Sequence, residues 1–199
     1  MKTVLIIQQR LHSTRLPGKA LLPLCGVNMT QRIVERCKRA KLVNEVVVAT
    51  PFDDAAEIGR AVDCPVVAPR VPENDLIARY YTVAAGMNAD FVVRVSRDNP
   101  CVEPWAIDSV IRFHSYSSNR SILCTNAGDT PGTTWPNGIG AEVYDFTTLK
   151  WMHEETKHEL FREHPHLGFI ANGLFTGPVC PIQFSRPDVR LDVNDQADY

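Results

Sequence analysis

The chain has 199 residues, a formal net charge of -2, 44% hydrophobic and 22% charged residues. That length suits a single domain with a sizeable core, and the composition excludes disordered and collagen-like chains. The near-neutral balance gives no global reason to expect nucleic acid binding. The N-terminal apolar stretch Thr3–Ile7 is too short for a signal peptide or a membrane span, so a soluble, cytoplasmic protein is the expectation.

The charge is unevenly spread. Through residue 42 the chain carries Lys2, Arg10, Arg15, Lys19, Arg32, Arg36, Lys38, Arg39 and Lys41 against Glu35 alone. Arg32 to Lys41 reads as a solvated helix face. The three cations in "RLHSTRLPGK" (10–19) have no periodic face to solvate. The six cysteines (Cys25, Cys37, Cys64, Cys101, Cys124, Cys180) form no C-x-x-C pair and no zinc spacing. They fit reduced, buried thiols better than a disulfide framework.

In chain order, "TVLIIQ" (3–8) is a continuous apolar run rich in β-branched residues that predicts a buried strand. After the cationic loop, residues 28–40 predict a helix with Met29, Ile33, Val34, Cys37 and Ala40 on one face, opened by Asn28 and Gln31 as a capping-box-like pair. "EVVVAT" (45–50) is a second strand, residues 53–62 a helix opened by Asp53 or Asp54, and "PVVA" (65–68) a third strand. Residues 73–87 predict a helix burying Leu76, Ile77, Tyr80 and Ala84. "DFVVRVS" (90–96) is a fourth strand, and residues 104–114 a helix with proline near its start. Such alternation predicts a largely parallel sheet flanked by helices. Beyond it, "SILCTN", "GAEVYDF", "PVCPIQF" and "VRLDV" are strand-like, and Thr147–Phe161 is helical. The Gly/Pro/Thr stretch 128–140 is the expected start of an inserted loop or lobe reaching about residue 172.

In an open α/β sheet, ligands bind where loops leave the carboxyl ends of strands. The first strand exits into residues 9–19 and the fourth into "RDNP" (97–100), so cations and Asp98 are expected to face each other across one crevice. At an effective dielectric near 20, a unit pair about 4 Å apart gains roughly 4 kcal/mol. Three cations therefore offset a polyphosphate's charge, whereas a carboxylate there implies an intervening divalent ion, Mg²⁺. "LPGK" is not a P-loop, because position 13 is Ser rather than Gly and position 20 is Ala rather than Ser or Thr. No G-x-G-x-x-G follows the first strand, and no Ser-His-Asp or G-x-S-x-G arrangement stands out.

"IIQQRLHSTRLPGK" resembles the "ARxxSxRLPxK" signature of the cytidylyltransferases that activate acidic sugars. It is most similar to the spore-coat polysaccharide branch and to relatives of the CMP-3-deoxy-manno-octulosonate synthetases. "VVVATPFDD", "DLIARYY", "VVRVSRDNPCVEP", "NGIGAEVY", "REHP" and "RLDVNDQADY" follow in the family's order and cover nearly the whole chain.

The resemblance implies a three-layer α/β/α nucleotide-diphospho-sugar transferase fold, with a mixed, mostly parallel sheet of about seven strands in one domain spanning 1–199. It implies CTP as donor, Mg²⁺ as cofactor and a small acidic acceptor, with no nucleic acid or membrane partner. The acceptor oxygen would attack the α-phosphorus and pyrophosphate would leave, in polysaccharide or glycoconjugate precursor synthesis. Arg10, Ser13, Arg15 and Lys19 match the triphosphate loop, Asp98 the metal ligand, and Arg10, Lys19 and Asp98 the catalytic set. Arg79 and Tyr80 match a pair on the helix near the nucleotide, with a core role for Tyr80 equally open. Glu142, Arg162, Glu163 and His164 match positions near the acceptor, where packing or interface roles are the better expectation. Because relatives commonly dimerise, a homodimer through residues 128–140 and the "REHP" region is expected.

The departures bear on mechanism. The family's closing strand usually reads "VDTPEDL", whose first Asp completes the metal site; here Asn194 stands in that place. Asp192 shares its face two residues back, and Asn194 or Asp195 reads equally as a helix cap. Gln9 and His12 replace smaller residues in the loop. The chain stops at Tyr199, where the family continues through a last helix. Two other functions stay open: a catalytically silent nucleotide-binding domain, and, further behind, a nucleotide-sugar-dependent glycosyltransferase, for which a single Asp98 lacks the usual Asp-x-Asp.

Overall fold

The computed structural model describes residues 1–116, 123–125, 134–176 and 186–199. Its elements in chain order are β1 (Thr3–Gln8), β2 (Pro23–Leu24), β3 (Val27–Asn28), α1 (Met29–Cys37), β4 (Glu45–Ala49), α2 (Ala55–Ala61), β5 (Val66–Val67) and α3 (Leu76–Gly86). They continue with β6 (Phe91–Val95), α4 (Pro104–Tyr116), β7 (Leu123–Thr125), β8 (Glu142–Asp145), α5 (Phe146–Glu155), α6 (Glu159–Glu163), α7 (Pro165–Ala171) and β9 (Phe175–Thr176).

The main sheet has seven strands in the order β5-β4-β1-β6-β8-β7-β9. β5, β4, β1 and β6 are parallel. β8 then runs antiparallel to both β6 and β7, and β7 pairs parallel with β9. This is the mixed, mostly parallel sheet expected from the sequence. All six residues of β1 are buried, in keeping with the unbroken apolar run Val4–Ile7, which faces both sides of the sheet rather than alternating. On one face Leu5, Ile7, Val46, Val48, Val93 and Val95 pack with Ile33, Ile58 and Ile107 from α1, α2 and α4. On the other, Val4, Ile6, Val47 and Val92 pack with Ile77, Tyr80, Leu149 and Phe169 from α3, α5 and α7.

The local signals held in part. Asn28 caps α1 by accepting from the Gln31 N–H at 2.8 Å, but the reciprocal half of the box is absent. The Gln31 side chain accepts from the Asp63 N–H instead, at 3.0 Å. Asp54 makes no side-chain cap on α2, which a short 3-10 turn over Phe52–Asp54 precedes. Thr147–Phe161 is two helices, α5 and α6, rather than one. The hairpin of β2 and β3 was not foreseen; its tip places Cys25 and Gly26 at positive φ, 52° and 90°. Cys25 is exposed, against the expectation of a buried thiol, while Cys37 is buried and Cys64 and Cys101 are half-buried. The "PVCPIQF" strand, part of the 128–140 stretch and Cys180 lie outside the described residues.

"VRLDV" is not a ladder strand. It is extended chain with one bridge between Arg190 and Asn137, held where the Leu191 N–H donates to the Asn137 carbonyl at 2.9 Å and the Val193 N–H to the Asp98 carbonyl at 2.7 Å. Gly138 makes that approach possible. Its φ is +95°, and a Cβ there would lie 2.5 Å from the Asp192 nitrogen.

Candidate active site

β1 and β6 are neighbours, but the chain moves from β1 to β4 on one side and later to β6 on the other. A crevice opens at that switch, beyond the strands' carboxyl ends. The loop after β1 enters it under tight control. The Gln9 N–H bonds the Ala49 carbonyl at 2.9 Å, and the Gln9 amide donates to Thr30 at 2.8 Å. Asp54, free of capping duty, accepts the Leu11 N–H at 2.9 Å. Ser13 accepts the Leu16 N–H at 3.3 Å. Leu16 is the loop's apolar anchor, buried with Met29 and Val193. Pinning Leu16 fixes its neighbours, and packing against Val193 carries the closing segment to Arg15.

Each cation of the loop has a partner at the crevice. Arg10 pairs with Glu73 at 2.8 Å. Arg15 donates to the Asn194 amide oxygen at 2.9 Å. Lys19, only 3% exposed, donates to Asp98 and, at 2.9 Å, to the Val193 carbonyl. Burial lowers the Lys19 pKa below its ordinary value, and Asp98 opposes that shift. Arg97, beside Asp98, was not singled out in the sequence; its Nε lies 3.5 Å from the carboxylate.

Two cavities share Arg94, Ser96 and Asp98. One of about 300 Å³ is walled by Arg10, Arg15, Arg97, Glu73, Glu163 and His164, among others. The other, about 120 Å³, is lined by Asn99, Asn137, Glu142, Asp192 and Asn194. At its floor Arg94 and Glu142 form a buried ion pair at 2.6 Å. Burial opposes the Arg94 charge, but Glu142, Tyr80 and Tyr144 outweigh it and hold the pKa well above the ordinary value.

Arg10, Arg15, Asp98 and His164 thus come together, and Glu142, Asp192 and Asn194 lie next door. Ser13 lines neither cavity and shapes the loop instead. Arg79 and Tyr80 also lie behind the walls. Arg79 is fully buried and donates to the Glu73 carbonyl at 3.0 Å, supporting the segment that presents Glu73. Tyr80 is core, its hydroxyl 3.3 Å from Arg94 Nε. Arg162 does not line the crevice either. It binds Asp75, the cap of α3, at 2.8 Å and the Thr156 carbonyl at 2.7 Å, so it fastens α6 to α3 and thereby holds Glu163 and His164 at the rim. Asn194 caps no helix; Asp195 caps only a turn, accepting from Ala197 at 2.9 Å.

Magnesium keeps several waters and takes one or two protein carboxylates plus substrate phosphates. Asp98 at the junction of both cavities, with Asp192 and the Asn194 amide nearby, fits that donor set. Among the described residues no three His, Cys, Asp or Glu side chains form a metal cage.

A cationic loop and one acid at the switch point of a mixed α/β sheet define a nucleotidyltransferase-type fold. A family model described as cytidylyltransferase matches residues 4–174, and the chain belongs to that family. The 3-deoxy-manno-octulosonate cytidylyltransferase of Geobacter metallireducens is 41% identical over 111 residues, 56% of this chain and 44% of that protein. The chain therefore matches about half the length of such curated relatives or a little less. An uncharacterized protein of Methanocaldococcus jannaschii is 28% identical across all of this chain and 81% of its own. Among solved structures, a cytidylyltransferase from Leptospira borgpetersenii superposes with a TM-score of 0.86 at 28% identity, over 100% of this chain and 84% of that one. A CMP:2-keto-3-deoxy-manno-octonic acid synthetase complexed with CTP shares the fold, with a TM-score of 0.66 at 18% identity over 99% and 95% of the two chains. Among the described residues no helix is long and apolar enough to cross a membrane.

Proposed function

We propose that this chain transfers CMP from CTP to a small acidic acceptor, with release of pyrophosphate, in the cytoplasmic synthesis of a polysaccharide or glycoconjugate precursor, and that it works as a homodimer. The observation that carries this reading is that Arg10 and Arg15 line a crevice with Asp98, and that the buried Lys19, which lines neither cavity, reaches the site by donating to Asp98. Family membership and the CTP-bound relative of the same fold support the choice of nucleotide.

The three cations leave their resting partners for the triphosphate and neutralise the pyrophosphate as it departs. Asp98, with Asp192 or Asn194, would hold Mg²⁺. The ion, when bound, supplies charge neutralisation and polarisation at the phosphate. Asn99, Asn137 and Glu142 offer polar groups to the acceptor in the smaller cavity, and His164 faces the same crevice from its rim. An acceptor with an ionised oxygen needs no strong base, and catalysis rests on positioning.

The test is pyrophosphate release from CTP with Mg²⁺ across acidic sugars, with UTP, ATP and GTP as controls. Turnover preferring CTP supports the reading; no CTP binding and no turnover with any acceptor overturns it. A silent nucleotide-binding role draws on one observation, that the Asn194 amide is engaged on both sides, by Arg15 and Asp192. If Asn194→Asp raises turnover steeply, the natural chain is the silent form.

A further inference from the structure

Arg97 is the cation of the crevice with the weakest partner. Arg10, Arg15 and Lys19 each hold an acceptor within 2.9 Å, Lys19 two of them. Among the described residues Arg97 has only the 3.5 Å approach of Nε to Asp98, whose same oxygen already takes the Lys19 ammonium. A guanidinium carries five N–H donors. Here the side chain is 14% exposed, and its Nη1 is buried with no hydrogen-bond partner among the described residues.

A further fact makes this costly. Arg97 lines the same cavity as Arg10 and Arg15, so three guanidinium groups share one cavity. A buried, under-bonded cation among like charges is unfavourable unless something anionic completes it. The resemblance gives a role only to Asp98 in "SRDNP", and no core function accounts for a charge at 97.

We propose that Arg97 is a fourth phosphate-binding cation, whose guanidinium takes oxygens of the triphosphate alongside Arg10 and Arg15. This rests on the nucleotidyltransferase reading and adds to it a residue that the loop motif does not contain. The fork of Arg97 suits bidentate phosphate oxygens, which a lysine ammonium meets only as a point charge. Its place directly before Asp98 sets one anion-binding and one cation-binding group side by side on a single turn after β6.

The experiment titrates inorganic tripolyphosphate into the wild-type chain and into Arg97→Met and Arg97→Lys, in EDTA, at low salt and at 0.5 M NaCl. Direct contact predicts at least tenfold weaker binding for Arg97→Met at both salts, with Arg97→Lys regaining part of the loss. Without ligand, Arg97→Met should melt at or above the wild-type temperature, which a structural role for Arg97 would not allow. A loss below tenfold at 0.5 M NaCl, where distant charges are screened, overturns the proposal, as does failure of the wild type to bind tripolyphosphate. If Arg97→Met does not fold, phenylglyoxal modification of the wild type replaces it: tripolyphosphate must protect Arg97 as well as Arg10, and an unprotected Arg97 refutes the assignment. Tripolyphosphate carries no base, so these arms read Arg97 alone. A parallel titration with CTP and UTP reads the proposed function, and a lack of preference there sinks that reading while leaving this one standing. A carboxylate acceptor that depends on Arg97 when tripolyphosphate does not would also refute it.

Discussion

Replacing Glu142 by glutamine keeps the shape of the side chain and removes its charge. Glu142 sits 2.6 Å from Arg94 with side chains 6% and 16% exposed, an attraction of about 6 kcal/mol at an effective dielectric near 20. Desolvation of both ions offsets most of that in forming the pair. Breaking it by removing one partner costs about 3–5 kcal/mol, because the remaining charge stays buried. Tyr80 offers Arg94 only a 3.3 Å contact, so Glu142→Gln is expected to lose about 3 kcal/mol. Urea unfolding followed by far-UV circular dichroism measures this as a lower midpoint with an unchanged slope. The double variant Arg94→Met/Glu142→Gln should recover at least half of the loss, since no unpaired charge is left. A single-variant cost under 1 kcal/mol, or a double variant no better than Glu142→Gln, would refute the reasoning.

Gly138→Ala should cost about 2 kcal/mol or more from its left-handed backbone alone, and a Cβ meeting the Asp192 backbone should also cut CTP turnover; thermal melting and pyrophosphate release measure the two. Asp54→Ala removes the acceptor of the Leu11 N–H and is expected to lose about 2 kcal/mol and to raise the KM for CTP. Burial pushes the Cys64 thiol up to about 11 from 9.0, and Cys37 higher still. Both raised thiols give stability that is intact below pH 9 and lost as pH rises toward 11, because unfolding there releases protons; urea midpoints of Cys64→Ala should fall less steeply over that window. Chelating magnesium should stop turnover while leaving the melting temperature of the free chain unchanged, because Lys19 already neutralises Asp98.

The parallel half of the sheet was legible because its strands are buried on both faces, so "TVLII" and "EVVVA" are unbroken apolar runs. That the loop after β1 and Asp98 lie at one crevice was legible too, since adjacent parallel strands must send their carboxyl-end loops to one edge; the contact itself is made by Lys19, while Arg10 and Arg15 pair with Glu73 and Asn194. Asp54 was misread as a cap because its real partner, Leu11, lies 43 residues away, and local patterns carry no trace of such pairing. Packing was the better expectation for Arg162, but its anchor Asp75, 87 residues distant, was hidden for the same reason. Arg97 escaped notice because a lone arginine next to an aspartate looks like an ordinary surface pair; only its burial and its weakly met donors mark it out. "VRLDV" alternates like a strand, yet Gly138 lets it lie against a turn rather than join a ladder.

Val193 reaches back across 174 residues to Lys19 and across 95 to Asp98. During synthesis, β1, β4 and β6 can therefore assemble on the ribosome well before residue 193 emerges, and for that interval the nascent chain owns a nearly finished sheet with an unfinished crevice. Premature release just short of that point would yield a protein that folds in large part but lacks the segment that ties Lys19 to Asp98.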